Sequence, residues 1–191
     1  MYKLAYYLLI CYLVIACLSP VMVSANEMHK PSLLSENLDS RLNKQSFLLI
    51  GEAKFSILFW DIYQSRLLTS TGKYPIDNNK EELLFEVSYL RDILSKELIE
   101  QTIEQWQHLG LAPEKYQDYL VELQKIWPDI KNGDSLTLYL HQGRSVFYLN
   151  QRYIGEISAP DFSDSFLAIW LSENTSQPNL RLKLLGNIDN E

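Results

Sequence analysis

Alternation between apolar and polar side chains begins at Phe47 and predicts an opening β-strand. One face of this strand carries the apolar side chains of Ala53, Phe55, Ile57 and Phe59. The other face carries the polar residues Glu52, Lys54 and Ser56, which is typical of a strand with one buried face. Because the apolar character continues into Ile62 and Tyr63, we predict one long strand that bends near Trp60-Asp61.

Shorter alternations predict four more strands. The first of them, at residues 83–89, follows a loop at 69–81 that is rich in Gly, Pro, Asp and Asn. The segment Lys131-Asn132-Gly133-Asp134 is typical of a tight turn and leads into a strand at 136–140. Turns near Gly143 and Asn150 separate two further strands, at 145–149 and 153–157.

Helical spacing of apolar residues replaces this alternation between residues 95 and 127. Ser95 is placed to cap a first helix that ends at Gly110, and Pro113 opens a second one that ends before Pro128. The buried stripe of the first helix is Leu98, Ile99, Thr102, Ile103 and Trp106. The stripe of the second is Tyr116, Tyr119, Leu120, Leu123, Ile126 and Trp127.

A last helix is predicted after Ser158 and Pro160, and a short apolar run at 180–185 closes the chain. The inner face of this helix carries Phe162, Phe166, Ile169 and Trp170. The predicted order is therefore β, β, α, α, β, β, β, α. Such an order is typical of the α+β class, with an antiparallel sheet and helices packed on one face.

The first 25 residues differ in character from this pattern. Lys3 is followed by an apolar stretch at 4–18, and Val23-Ser24-Ala25 supplies the small residues of a cleavage site. We therefore predict a secretory signal peptide at 1–25 and a periplasmic or secreted mature protein. Two alternatives stay open: an uncleaved membrane anchor, and a lipoprotein acylated at Cys17.

A polar tether at 26–46 is predicted between this segment and a folded domain at 47–191. Leu34, Leu38 and Leu42 recur every fourth residue, so a short docking helix fits within the tether. Cys11 and Cys17 both precede the expected cleavage point. The mature chain would then contain no disulfide and no thiolate ligand or nucleophile.

Charge and motifs exclude several function classes. The chain carries 24 acidic and 17 basic residues, a formal charge of −7, which argues against a nucleic-acid partner. His29, His108 and His141 have no metal-binding spacing and are each interpreted as solvated ends of elements, so we predict no metal. The phosphate-binding glycine patterns and the GxSxG elbow are missing from the sequence, and no cofactor is predicted.

Three further groups are candidates for chemistry, each with a simpler structural interpretation. Arg91-Asp92 is interpreted as a local ion pair or a helix cap. A row of glutamates at helical spacing, Glu97, Glu100 and Glu104, is interpreted as a solvated helix face. Five aromatic residues could line an apolar pocket, although core packing is the commoner role: Trp60, Tyr63, Tyr89, Trp106 and Trp170.

Several segments together resemble the chalcone isomerase-like family. Gly51-Glu52-Ala53 followed by Phe59-Trp60-Asp61-Ile62-Tyr63 is similar to the family's opening strand. In the family's order follow Tyr89-Leu90-Arg91-Asp92, Trp106 to Gly110, Lys131 to Asp134, Asn150 to Gly155, and Phe166 to Ser172. The resemblance extends from Gly51 to Gly186. It implies an open-faced β-sandwich, in which helices cover one face of a large antiparallel sheet.

The resemblance does not extend to the residues with which plant chalcone isomerases close a flavonoid ring. The family's Arg aligns near Ser46, or with Lys44 after a slip in register, and its strand Thr aligns with Leu58. The catalytic Tyr aligns with Leu94, the helix Asn with Gln101, and the late-helix pair with Ile169 and Trp170. Gln101 alone keeps comparable chemistry, so we predict no catalytic residues for chalcone isomerisation.

The resemblance thus implies an exported, non-catalytic binding or accessory module. Family members that lack the isomerase residues include fatty-acid-binding proteins, so an apolar small molecule such as a fatty acid is the implied ligand. Two alternatives stay open: an enzyme of unknown chemistry that uses the same cleft, and a protein-interaction module of the cell envelope.

Overall fold

The computed structural model describes residues 37–39 and 46–187. The predicted signal peptide, both cysteines and His29 lie outside the described residues, as does most of the predicted tether. Within the described residues, no helix combines the length and the apolar character that a membrane span requires.

The described residues form a six-stranded antiparallel sheet and four helices, which confirms the α+β class. The strands are β1 Leu48–Ile57, β2 Trp60–Thr69, β3 Leu83–Tyr89, β4 Ser135–His141, β5 Arg144–Leu149 and β6 Arg152–Ile157. The helices are α1 Ser95–His108, α2 Pro113–Ile126, α3 Phe162–Leu171 and α4 Pro178–Leu184. Each strand pairs with the next one in the chain, so the sheet order is β1-β2-β3-β4-β5-β6.

The predicted single long strand at the start of the domain is wrong, because the chain folds there into a hairpin. β1 ends at Ile57, which pairs with Trp60, and Leu58 and Phe59 form a two-residue turn. Such turns are normally marked by Gly or Asn, which tolerate a positive φ. Leu58 has a φ of +55° in spite of its side chain, so the sequence carries no turn signal at this point.

The apolar run near the end of the chain, for which no element was predicted, lies in the helix α4. This helix packs against β1, and the contact is made backbone to backbone. A Cβ built at Gly51 would lie 2.1 Å from the carbonyl oxygen of Lys183, so only glycine fits there. Gly51 therefore sets how closely the last helix approaches the sheet.

The main core lies between the helices and one face of the sheet. Trp106 is fully buried in it, stacks on Tyr116 at 5.4 Å between ring centroids, and donates its Nε1–H to the Ser165 carbonyl at 2.8 Å. Phe147 of β5 packs edge to face against Phe162 and Phe166 of α3. These contacts join α1, α2 and α3 to one another and to β5 of the sheet.

A smaller cluster lies on the opposite face of the sheet. Its sheet members are Leu84, Tyr139, Val146 and Tyr148. Leu38 is buried against them, and its backbone N–H donates to the Gln151 carbonyl at 2.9 Å. The docking contact suggested by the leucine spacing is thus present at Leu38, while Leu34 and Leu42 lie outside the described residues.

The start of α1 is held differently from the prediction. The N-cap residue of the helix is Leu94 rather than Ser95. The backbone N–H of Ser95 donates to Oδ1 of Asp129 at 2.8 Å. The Ser95 hydroxyl donates to the Trp127 carbonyl at 2.8 Å. A carboxylate at a helix N-terminus is stabilised by the helix dipole, and here it ties α1 to the end of α2.

Candidate functional site

A cavity of about 730 Å³ lies between the sheet and the helices α1 and α3. Its sheet wall includes Phe55, Tyr63, Phe85, Val87 and Leu138, and its helix wall includes Leu98, Thr102, Phe166, Ile169 and Trp170. Most of these side chains are apolar or aromatic. A volume of this size lies within the range of about 300–1,000 Å³ that is usual for small-molecule sites.

Trp170 forms part of the cavity wall and is also packed against the core. Its ring lies 4.7 Å from that of Phe85 and 5.3 Å from that of Phe166, measured between centroids. Its Nε1–H donates to the Tyr63 hydroxyl at 3.0 Å. The residue is half-buried, so the prediction of an inward-facing Trp170 is confirmed, and the structure adds a surface that faces the cavity.

Tyr63 places a polar group inside this largely apolar space. Burial raises the pKa of its phenol to about 12, so the group is neutral at physiological pH. Its oxygen accepts from Trp170, and within the described residues its own proton has no acceptor. Burial likewise raises the pKa of the Tyr89 phenol, which also lines the cavity. Tyr63 is therefore a hydrogen-bond donor available to a molecule in the cavity.

Arg91 stands at the rim of the cavity and is exposed. The predicted pairing with its neighbour is wrong, because the Asp92 carboxylate accepts from the Asn132 backbone N–H at 2.9 Å and from Lys131 Nζ at 3.0 Å. These two bonds lower the pKa of Asp92. Among the described residues, no carboxylate pairs with the Arg91 guanidinium. A cation at the rim is thus left unneutralised.

The glutamate row of α1 shares this rim. All three side chains are exposed, as the prediction of a solvated face requires. Glu97 accepts from the Leu94 backbone N–H at 3.1 Å, and Glu104 accepts from Gln101 Nε2 at 2.9 Å. Glu100 lies 3.5 Å from Lys96. The rim is therefore polar, with carboxylates on the α1 side.

Two of the positions that align with catalytic residues of the plant isomerases do not line the cavity. Leu58 lies in the β1–β2 turn and Leu94 at the exposed start of α1, and neither side chain lines the cavity. The register that placed both in the cleft is therefore wrong. Gln101, Ile169 and Trp170 do line the cavity, as the same alignment implied. Ser46 is exposed ahead of β1, and Lys44 lies outside the described residues.

The aromatic residues singled out in the sequence divide into three groups. Tyr63, Tyr89 and Trp170 line the cavity, whereas Trp106 belongs to the core. Trp60 is exposed beside the β1–β2 turn. Spacing alone could not separate these roles, because a cavity wall and a core have the same periodicity. Arg91 was missed as a rim residue because the adjacent Asp92 suggested a local pair.

The histidines do not form a metal centre in the part of the chain that the structure describes. No group of three or more His, Cys, Asp or Glu side chains among these residues could hold a metal ion. His108 is exposed at the end of α1. The interpretation of His141 as a solvated end is wrong, because its Nδ1 lies 2.5 Å from the mostly buried carboxylate of Glu82. This pair lies outside the cavity lining.

Comparisons with known proteins agree with this architecture. The chain is 28% identical over 137 residues to an uncharacterised protein of Haemophilus influenzae. The aligned region covers 72% of this chain and 67% of the Haemophilus protein. Its fold is similar to the crystal structure of the fatty-acid-binding protein AtFAP1 of Arabidopsis thaliana, with a TM-score of 0.57 and 14% identity. That match covers 74% of this chain and 88% of AtFAP1. A family model described as chalcone isomerase-like matches residues 39–186, and the chain therefore belongs to the chalcone isomerase-like family.

Proposed function

We propose that this domain is a non-catalytic binding module that holds an apolar, chain-like small molecule in the cavity between the sheet and α1 and α3. A fatty acid is the ligand class that we propose first. The observation that carries the proposal is the cavity itself, which has an apolar interior and a polar rim. The description of the similarly folded AtFAP1 as a fatty-acid-binding protein supports the same choice.

The apolar walls would supply most of the binding free energy. Each methylene group transferred from water into such a wall contributes about 0.8 kcal/mol. The fourteen methylenes of palmitate therefore contribute about 11 kcal/mol when all are buried, against a cost of association of about 4 kcal/mol. The net gain of about 7 kcal/mol, together with about 1.4 kcal/mol for a tenfold head-group contact, corresponds to a dissociation constant in the micromolar range.

The carboxylate head would lie at the rim near Arg91. A guanidinium can donate two parallel hydrogen bonds to a carboxylate, and here it has no competing carboxylate partner among the described residues. The glutamates of α1 are also at the rim and repel an anion. Arg91 is therefore the contact that we propose for the head, while Tyr63 can donate to a polar group deeper in the cavity.

The same geometry does not favour ring closure of a chalcone. That reaction develops negative charge on an enolate oxygen and needs several donors aimed at one point. The Thr102 hydroxyl already donates to the Leu98 carbonyl at 2.8 Å, and Gln105 accepts from Ser176 at 2.6 Å. Tyr63 and Tyr89 keep phenol donors that line the cavity, but the Thr102 hydroxyl that could join them in a network is committed to the helix backbone. Binding without catalysis accounts better for this set of side chains.

Head-group recognition is tested by calorimetry with two ligands of equal chain length, palmitate and hexadecanol. We expect Arg91→Gln to weaken palmitate binding about tenfold and to leave hexadecanol binding unchanged. Arg66→Gln is the matched control, because Arg66 is an exposed arginine of β2 outside the cavity lining. Equal palmitate affinity in Arg91→Gln and the unmodified protein would remove Arg91 from the site.

We further propose that the module acts outside the cytoplasm, after removal of residues 1–25. The small residues of Val23-Ser24-Ala25 behind an apolar stretch support this proposal. Intact-mass analysis of protein from its native host should give a chain that begins at Asn26. A mass that includes residues 1–25, or a diacylglycerol on Cys17, would replace this proposal by one of the two anchored forms.

A further inference from the structure

The tip of the β1–β2 hairpin presents four consecutive large apolar side chains to solvent. Their exposed fractions are 53% for Ile57, 87% for Leu58, 98% for Phe59 and 72% for Trp60. Neither the core nor the cavity buries Leu58, Phe59 or Trp60. An exposed apolar patch on a soluble domain usually marks a surface that contacts something else.

The turn itself does not explain the choice of these residues. Leu58 has a φ of +55°, a conformation that Gly or Asn adopts at much lower cost. A leucine that is strained and also exposed stabilises neither the turn nor the core. Its side chain, like that of Phe59 beside it, is free to contact an apolar surface beyond the described residues.

The two charged residues nearest to the tip, Lys54 and Asp61, form an ion pair behind it that we call the neutral collar. Lys54 Nζ donates to Asp61 Oδ2 at 2.8 Å, and the Ser56 hydroxyl donates to Asp61 Oδ1 at 2.6 Å. These bonds also lower the pKa of Asp61. Asp61, the charged residue nearest to the turn, lies two residues beyond Phe59, and a strand rises about 3.3 Å per residue. The uncharged part of the hairpin is thus about 7 Å long, a depth that lies within the range of about 5–10 Å for interfacial insertion.

We propose that this hairpin tip inserts into the surface of a lipid bilayer. Phe59 and Leu58 would enter the acyl boundary, and Trp60 would lie nearer the head groups, where tryptophan is enriched in membrane proteins. The tip is a narrow projection only two strands wide, a shape suited to a deformable lipid surface rather than to a broad protein interface. The neutral collar fits a zwitterionic head-group layer.

Insertion would also bring the cavity to the membrane. Ile57 belongs to the tip and lines the cavity, so the two surfaces are continuous. This consequence rests on the proposed binding function: an apolar ligand could pass between the bilayer and the cavity with little exposure to water. Membrane insertion itself does not depend on that function.

The test is quenching of tryptophan fluorescence by phosphatidylcholine vesicles with brominated acyl chains. Residues 1–25 contain no tryptophan, so the signal reports on the domain even if that segment is present. Trp106 and Trp127 are buried, and Trp60 is the most exposed tryptophan among the described residues. We expect quenching in the unmodified protein, and we expect Trp60→Phe to lose most of it.

Variants at exposed apolar positions decide whether the tip is responsible. Leu58→Ser with Phe59→Ser should weaken vesicle binding at least about tenfold. Val121→Ser, at a half-exposed apolar position on α2, should leave binding unchanged. Phe59→Ser alone should give a smaller loss and is the substitution least able to disturb folding, because that side chain is almost fully exposed.

Several outcomes would overturn the proposal. Absence of quenching in the unmodified protein would do so, as would equal quenching in the double variant and in Val121→Ser. A dimer seen by light scattering that the double variant abolishes, without any quenching, would assign the tip to contact with a second copy. Palmitate binding measured without vesicles should be the same in the double variant and the unmodified protein, which separates failure of this proposal from failure of the binding function.

Discussion

Replacement of Trp170 by alanine tests the wall between the core and the cavity. Removal of a fully buried tryptophan or phenylalanine costs about 3–5 kcal/mol. Trp170 is half-buried and one side of it faces the cavity, so the loss of packing against Phe85 and Phe166 should be smaller. The lost hydrogen bond to Tyr63 adds about 1 kcal/mol. We expect Trp170→Ala to lower the free energy of unfolding by about 2–4 kcal/mol.

A companion variant separates the two contributions. Trp170→Phe keeps most of the ring packing and loses the Nε1–H, so it should cost only about 1–1.5 kcal/mol. Urea denaturation followed by circular dichroism measures both variants, with an unchanged m-value as the sign that the same transition is observed. A change below about 0.5 kcal/mol for Trp170→Ala would show that the ring does not pack as described. Equal losses in the two variants would assign the whole effect to the hydrogen bond.

Three further predictions concern the last helix, the hairpin and catalysis. Gly51→Ala should lower the free energy of unfolding by at least about 2 kcal/mol in urea, because its Cβ would meet the α4 backbone; a neutral change would mean that α4 is not held against β1. Leu58→Gly should raise that free energy by up to about 1 kcal/mol, because glycine relieves the positive φ; a loss of stability would show that the leucine side chain packs within the domain. The purified protein should leave naringenin chalcone at its spontaneous isomerisation rate, and a clear acceleration would identify a donor network that involves Tyr63 or Gln101.

The sequence was sufficient for the fold class because the periodicities are strong. The alternation at 83–89 and the stripes of α1 and α2 lie where the patterns predicted them, with Gly110 and Pro113 at the boundary between the two helices. The first hairpin was missed because its turn is Leu58-Phe59, which continues the apolar alternation without a break. Ser95 was misassigned as the cap of α1, because Leu94 is the N-cap residue and the Ser95 N–H donates to Asp129, 34 residues further along the chain.

The candidate site was harder to predict for a physical reason. A cavity forms where neighbouring side chains leave a space unfilled. The spacing of apolar residues along the sequence does not show where this happens. Tyr63 and Trp170 follow the same spacing as core residues, and only their three-dimensional placement opens a volume beside them. Within the described part of the chain, Arg91 is an unpaired cation at the rim because Asp92 bonds with Lys131 and Asn132 instead, and the sequence does not show these contacts.

The most direct test of the binding function is to fill the cavity and measure affinity. Leu98→Trp adds bulk from α1 into the cavity, whereas Val121→Trp adds the same bulk at a half-exposed position on α2, outside the cavity lining. Isothermal titration of delipidated protein with palmitate should give micromolar affinity for the unmodified chain and for Val121→Trp, and at least about a tenfold loss for Leu98→Trp. Palmitate binding that is absent from the unmodified chain, or that is unchanged in Leu98→Trp, would contradict the account.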